Sequence, residues 1–194
     1  LDREAIIVAL SLLQARFYDD HLKIFFNSWG AWATKNHQHI QAIFYEDKDG
    51  NPTHFPVEGR ELVEIPLINN TDVKLFELKD YPVKAWVLEG NNIEKLSMAV
   101  FKAVEVLQQA DIFPDKKGVP HNLIFTKTKE NNLRVYLFPR KFQEGYTKFG
   151  TGIASFELAG ELAAVAETAI QRNVLIYEIK KESKKESDQT KKQS

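Results

Sequence analysis

The sequence predicts an α+β fold in which an antiparallel sheet carries helices on one face. Two observations point there. Short strand-like runs come in pairs joined by polar turns, the pattern of hairpins, and they are interleaved with long segments of helical apolar period. A third sets the scale: 194 residues with 43% hydrophobic content and 13 Phe are enough for one domain with a substantial core.

Residues 3–17 read as an amphipathic helix, with Ile6, Leu10, Leu13 and Phe17 on one stripe. Leu22 to Asn27 is a strand. A glycine turn around Gly30 leads to a second strand from about Asn36 to Tyr45. The acidic turn 46–52 closes a hairpin onto His54 to Glu58, and Val83 to Leu88 is a further strand. Asn91-Asn92 caps a helix from Ile93 to Ala110, whose buried stripe is Leu96, Val100, Val104 and Leu107. Asn122 to Lys127 and Leu133 to Phe138 form another hairpin. Phe156 to Ile170 is Ala-rich and helical, and Val174 to Ile179 is a final strand. Residues 1–179 thus form the domain, while 180–194, with Lys-Lys-Glu-Ser twice in succession, is a disordered tail.

Several function classes lose support. A net charge of −1 gives no global attraction to nucleic acid or to a membrane surface. The absence of cysteine removes thiolate zinc sites, disulfides and cysteine nucleophiles. The apolar stretch Ala5 to Leu13 is too short to span a bilayer and follows no basic segment. Asp47, Asp49, Asn51, Thr53 and Glu58 imitate a calcium loop, but Pro52 stands where that loop needs glycine, so a solvated turn is expected.

The segment that carries chemistry is Asn27-Ser28-Trp29-Gly30-Ala31-Trp32-Ala33-Thr34-Lys35-Asn36-His37-Gln38-His39-Ile40-Gln41. On a strand, His37, His39 and Gln41 line one face, and Gln38, Ile40, Ala42 and Phe44 the other, which is apolar enough to bury. A neutral imidazole whose second nitrogen is pinned by a hydrogen bond is a good nucleophile toward phosphorus. His39, with neighbours on both sides, is the natural nucleophile. Asn27, the Gly30 backbone and the Thr34 hydroxyl are the types that cradle phosphate oxygens. A His-x-His pair also occurs as a plain surface pair or as two of three zinc ligands, with His54 or Glu58 as the third. Trp29 and Trp32 read as packing residues beside a turn, with base stacking the lesser alternative. His21 and His121 read as structural or surface residues.

The row from Asn27 to Gln41 resembles the histidine-triad superfamily, in particular the transferase branch that has glutamine in place of the third histidine. Together with Phe55-Pro56-Val57-Glu58, Tyr81-Pro82-Val83-Lys84, Leu88-Glu89-Gly90, Asn122-Leu123-Ile124 and Leu137-Phe138-Pro139, it is similar to the GDP-hexose phosphorylases, which act on GDP-D-glucose or GDP-L-galactose. The resemblance implies a histidine-triad-like sheet and transfer of GMP from a GDP-hexose to inorganic phosphate. His39 would be the residue that accepts GMP. His37 and Gln41 would be its flanking phosphate ligands, and Asn27, Ser28, Gly30 and Thr34 the nucleotide and phosphate side. No cofactor and no metal are implied. The implied partners are a nucleotide sugar and inorganic phosphate, without nucleic acid or membrane, in a cytoplasmic setting.

Some features depart from that family. Arg140 stands where plant members tend to carry glutamine, and the sizeable segment that members carry upstream of the first helix is expected to be missing. The alternatives are a dinucleoside-polyphosphate phosphorylase, a nucleotide hydrolase of the same superfamily, or a non-catalytic nucleotide-binding fragment. Gln41 speaks against simple hydrolysis, since the hydrolase branch usually keeps histidine there.

Overall fold

The computed structural model describes residues 1–15, 21–33, 35, 37–67, 72–110, 118–142 and 152–161. Thr34, Phe17, the end of the Ala-rich segment, the strand expected at 174–179 and the tail 180–194 lie outside the described residues.

Seven strands form one antiparallel sheet in the order β2-β1-β6-β7-β5-β4-β3. They are β1 (Leu22–Asn27), β2 (Gln41–Phe44), β3 (Leu62–Ile65), β4 (Lys74–Leu78), β5 (Trp86–Gly90), β6 (His121–Lys127) and β7 (Leu133–Pro139). The helices are α1 (Arg3–Gln14), α2 (Ile93–Gln109) and the single turn α3 (Ser155–Leu158). This is the α+β class that the sequence predicts. Both long helices start where a short polar side chain satisfies a free backbone N–H. The Asp2 carboxylate accepts from Ala5 N at 2.8 Å, and the Asn92 amide oxygen from Lys95 N at 3.0 Å.

Alternation of side chains across the central strands splits the core in two. On one face α1 packs over β1, β6 and β7, and α2 over β5 and β7. Ile6, Leu10, Leu13, Leu96, Val100, Val104 and Leu107 there meet Leu22, Ile24, Phe26, Leu123, Phe125 and Val135. The opposite face also buries an apolar cluster, under loops rather than long helices. Phe25, Ile124, Tyr136 and Phe138 lie beneath Phe55 and Val57 of the 52–60 loop and Leu158 of α3. Phe156 sets its ring edge-on to Phe25, Tyr45 and Phe55, which clamps α3 to the sheet.

Three expectations change. Residues 54–58 form no strand: after the isolated bridge Glu46–Pro52 and the Thr53 N to Tyr45 O bond at 3.2 Å the chain enters a turn at 56–59, where Glu58 folds back to accept the Phe55 N–H at 3.0 Å. β3 and β4, unforeseen in the sequence, extend the sheet beyond β5. The strand expected at 36–45 shrinks to Gln41–Phe44. Among the described residues, no helix is long and apolar enough to cross a membrane.

Candidate functional site

The shortened β2 has a simple cause. Its ladder with β1 runs from Leu22–Phe44 to Phe25–Gln41. Beyond that, β1 is about to end at Asn27, and its chain turns away: Ser28 N donates to His121 O at 3.0 Å, and Ala31 N to Ser28 O at 3.0 Å. Residues 37–40 therefore have no strand to pair with. They are held by side chains instead. Gln38 exchanges two hydrogen bonds with Asp2 at the start of α1, and Ile40 packs against the helix-side core. Ala42 and Phe44, expected to be buried, are exposed, Phe44 by 59%. They lie on the helix side of an edge strand that α1 and α2 do not cover.

His37 and His39 adjoin each other, with ring centroids 5.7 Å apart. His39 Nδ1 lies 3.2 Å from the carbonyl oxygen of His37. A carbonyl can only accept, so in the neutral ring Nδ1 carries the proton and Nε2 keeps its lone pair. His37 is exposed and His39 half-buried. Gln41 opens β2 opposite Phe25. Asn27, two residues beyond Phe25 on the same face, reaches it diagonally: Asn27 Nδ2 donates to Gln41 Oε1 at 3.3 Å.

Asn27 belongs to a buried polar group at this end of the sheet. Asn122 is its partner across the β1–β6 ladder and donates from Nδ2 to Asn27 Oδ1 and to Ala31 O. Ser155 of α3 adds two donors to Asn27 Oδ1, its backbone N–H at 3.0 Å and its hydroxyl at 2.7 Å. Arg140, just past β7, donates from Nη1 to Asn122 Oδ1 at 2.9 Å and to Ile153 O at 3.0 Å. The sequence points to Asn27 as a site residue, gives Asn122 only within a resembling block, and does not point to Ser155. No spacing signal links two residues 128 positions apart.

The turn at 28–32 is structurally committed. Ser28 Oγ accepts the His121 N–H at 2.7 Å. Gly30 has a φ of +79°, and a Cβ there would sit 2.4 Å from Phe142 Cδ1. Trp32 packs against Gly152 from a φ of +68°, while Trp29 projects with 78% exposure.

The other candidate ligands have structural uses. His54 lies 3.5 Å from Glu58, and His21 is paired with Glu46. His121 is buried, and burial pushes its imidazole down to about 4. Asp47 accepts from the Asp49 and Asn51 N–H groups, as a solvated turn would. Among the described residues no three His, Asp or Glu are grouped to hold a metal ion. Two clefts, of about 550 Å³ beside the start of α2 and about 280 Å³ beside Glu58 and Arg134, contain neither His37 nor His39.

The family model for the GDPGP1-like, C-terminal domain matches residues 56–170, more than half of the chain. The chain belongs to that family. The match takes in Asn122, Arg140 and Ser155 but begins after the His37–Gln41 row. GDP-L-galactose phosphorylase 2 and GDP-L-galactose phosphorylase 1 of Arabidopsis thaliana are each 26% identical, over 144 and 145 residues, 74% of this chain. The chain spans 30% and 29% of their lengths. A solved DUF4931 family protein from Bacillus cereus shares the fold, with a TM-score of 0.50 at 12% identity over 91% of this chain and 79% of that one. This GDPGP1-like domain thus has the antiparallel α+β sheet that its sequence predicts.

Proposed function

We propose that this GDPGP1-like chain carries the histidine-bearing part of a GDP-hexose phosphorylase, a nucleotidyltransferase working by double displacement. His39 Nε2 attacks the phosphorus next to guanosine, the bond to the bridging oxygen breaks, and hexose 1-phosphate departs with that electron pair. The leaving group is a phosphate anion, which needs no proton from a general acid. Inorganic phosphate then attacks the GMP-imidazole adduct, restores the imidazole and yields GDP.

The observation that carries this reading is the His39 ring, fixed through Nδ1 on the His37 carbonyl with its other nitrogen available, two residues from the Gln41 amide. His37 and Gln41 are the flanking phosphate ligands. Asn27, Ser28, Gly30 and Thr34 form the nucleotide and phosphate side, where Ser28 and Gly30 shape the turn. The likeness to two GDP-L-galactose phosphorylases supports the guanine-nucleotide sugar over a dinucleoside polyphosphate.

The test is mass spectrometry of the chain incubated with GDP-glucose or GDP-L-galactose, phosphate omitted. A gain of one GMP on the peptide containing His39, discharged on adding phosphate, is the expected result. Calorimetric binding of the GDP-hexose with no adduct in any condition would leave a binding module instead.

A further inference from the structure

The four side chains Arg140, Asn122, Asn27 and Gln41 make a hydrogen-bonded chain in which the direction of every bond is determined. Amide oxygen and nitrogen look alike, so their assignment must come from partners of fixed character. Here such partners stand at both buried amides. Arg140 can only donate, which makes the Asn122 atom facing it the oxygen. The Ala31 carbonyl can only accept, which makes the other Asn122 atom the nitrogen. The Ser155 backbone N–H can only donate, which makes the Asn27 atom facing it the oxygen, the same atom that receives Asn122 Nδ2. Asn27 Nδ2 must then point at Gln41, whose facing atom is therefore Oε1.

We infer that this relay, anchored by the Arg140 guanidinium and locked by Ser155, turns the Gln41 amide so that Nε2–H is the group offered to the site. The inference rests on the phosphorylase reading only in assigning a phosphate oxygen as what Nε2–H meets. With the amide reversed, Gln41 would present a carbonyl to an anion. A relay that begins at a cation and passes through buried amides also polarises each following donor, so Gln41 donates more strongly than a solvated glutamine. Arg140, Asn122, Asn27 and Ser155 are thus positioning residues acting through Gln41. Ser155 is the one that a distant segment supplies: Phe156 beside it is held in the aromatic cluster, and Tyr81 binds Leu158 O at 2.8 Å.

The experiment is a side-chain amide spectrum of the full ¹⁵N-labelled chain, with the Gln41 pair assigned by its loss in Gln41→Glu. The isosteric Asn122→Asp, which puts an acceptor in place of the donor to Asn27 Oδ1, should move the Gln41 Nε2 pair most. Ser155→Ala, which keeps the backbone N–H and loses the hydroxyl donor, should move it less, and Ser155→Thr, which keeps both, should leave it in place. In turnover with GDP-hexose and phosphate, Ser155→Ala should lower kcat about tenfold with KM for the nucleotide sugar unchanged, and Ser155→Thr should restore it. A Gln41 pair that stays put in both folded variants overturns the relay, even if wild type forms the GMP adduct. A pair that moves while wild type forms no adduct keeps the relay and removes the phosphorylase reading.

Discussion

The ammonium of Lys23 is fully buried, and both carboxylate oxygens of Glu58 hold it, at 3.0 and 3.1 Å. Lys23 stands on β1 and Glu58 in the 52–60 loop, so the pair ties that loop to the sheet while Glu58 also takes the Phe55 N–H. A buried pair is costly to break because the partner left behind keeps an uncompensated charge. Lys23→Ala should cost about 3–5 kcal/mol. The double variant Lys23→Met with Glu58→Gln, which keeps an acceptor for Phe55, should recover most of that. Urea denaturation of Lys23→Met, Glu58→Gln and the double provides the check, and additive losses would show that the two groups act separately.

His121 makes stability depend on acid. The residue is 2% exposed, and Nε2 is buried with no hydrogen-bond partner among the described residues. Burial, the main cause, lowers its value from 6.5 to about 4. The unfolded chain therefore binds the proton more readily than the folded one between these values. Stability is complete above pH 6.5 and falls as pH drops toward 4, by at most about 3 kcal/mol. His121→Phe should flatten that limb of the profile. Thermal melts from pH 7 to pH 4 would register it, and an unchanged acid limb would place the titrating group elsewhere.

Gly30 cannot be replaced without strain. Its φ of +79° suits glycine, and an added Cβ runs into the Phe142 ring. Gly30→Ala should destabilise by about 1–3 kcal/mol, and by moving the 28–32 turn it should also disturb the Ala31 carbonyl that holds Asn122. The same amide spectrum reports both effects, and a wild-type melting temperature together with unmoved Asn122 signals would contradict this account.

For the chemistry itself, His39→Ala should abolish turnover and adduct formation. Gln41→Ala should lower kcat by about 10²–10³, the usual loss for one donor to developing charge, while the adduct still forms. Single-turnover quench measurements separate the two steps. Wild-type turnover in His39→Ala would dismiss the nucleophile assignment.

What the sequence makes legible is what depends on local pattern. The stripe of α2, the Asn92 cap, and the hairpin of β6 and β7 follow from helical and alternating period and appear within a residue or two of expectation, while α1, expected over 3–17, ends at Gln14 with Ile6, Leu10 and Leu13 buried as foreseen. β3 stayed hidden because an edge strand with the burial pattern of Leu62–Ile65 carries almost no alternation. The alternation at 37–41 was misleading as geometry. Gln38 and Ile40 do turn toward the helix side, yet no neighbouring strand extends far enough to pair with that backbone. Ser155 was invisible for a different reason. Its value lies in a contact made across 128 residues, and a serine before an Ala-rich stretch reads only as a helix start.

That long reach has a consequence for how the protein is made. His37 and His39 are synthesised well before Ser155, which is translated 128 residues after Asn27, an interval on the order of ten seconds at ordinary synthesis rates. Until then Asn27 Oδ1 lacks both donors of Ser155, so this buried polar group is completed only when α3 docks.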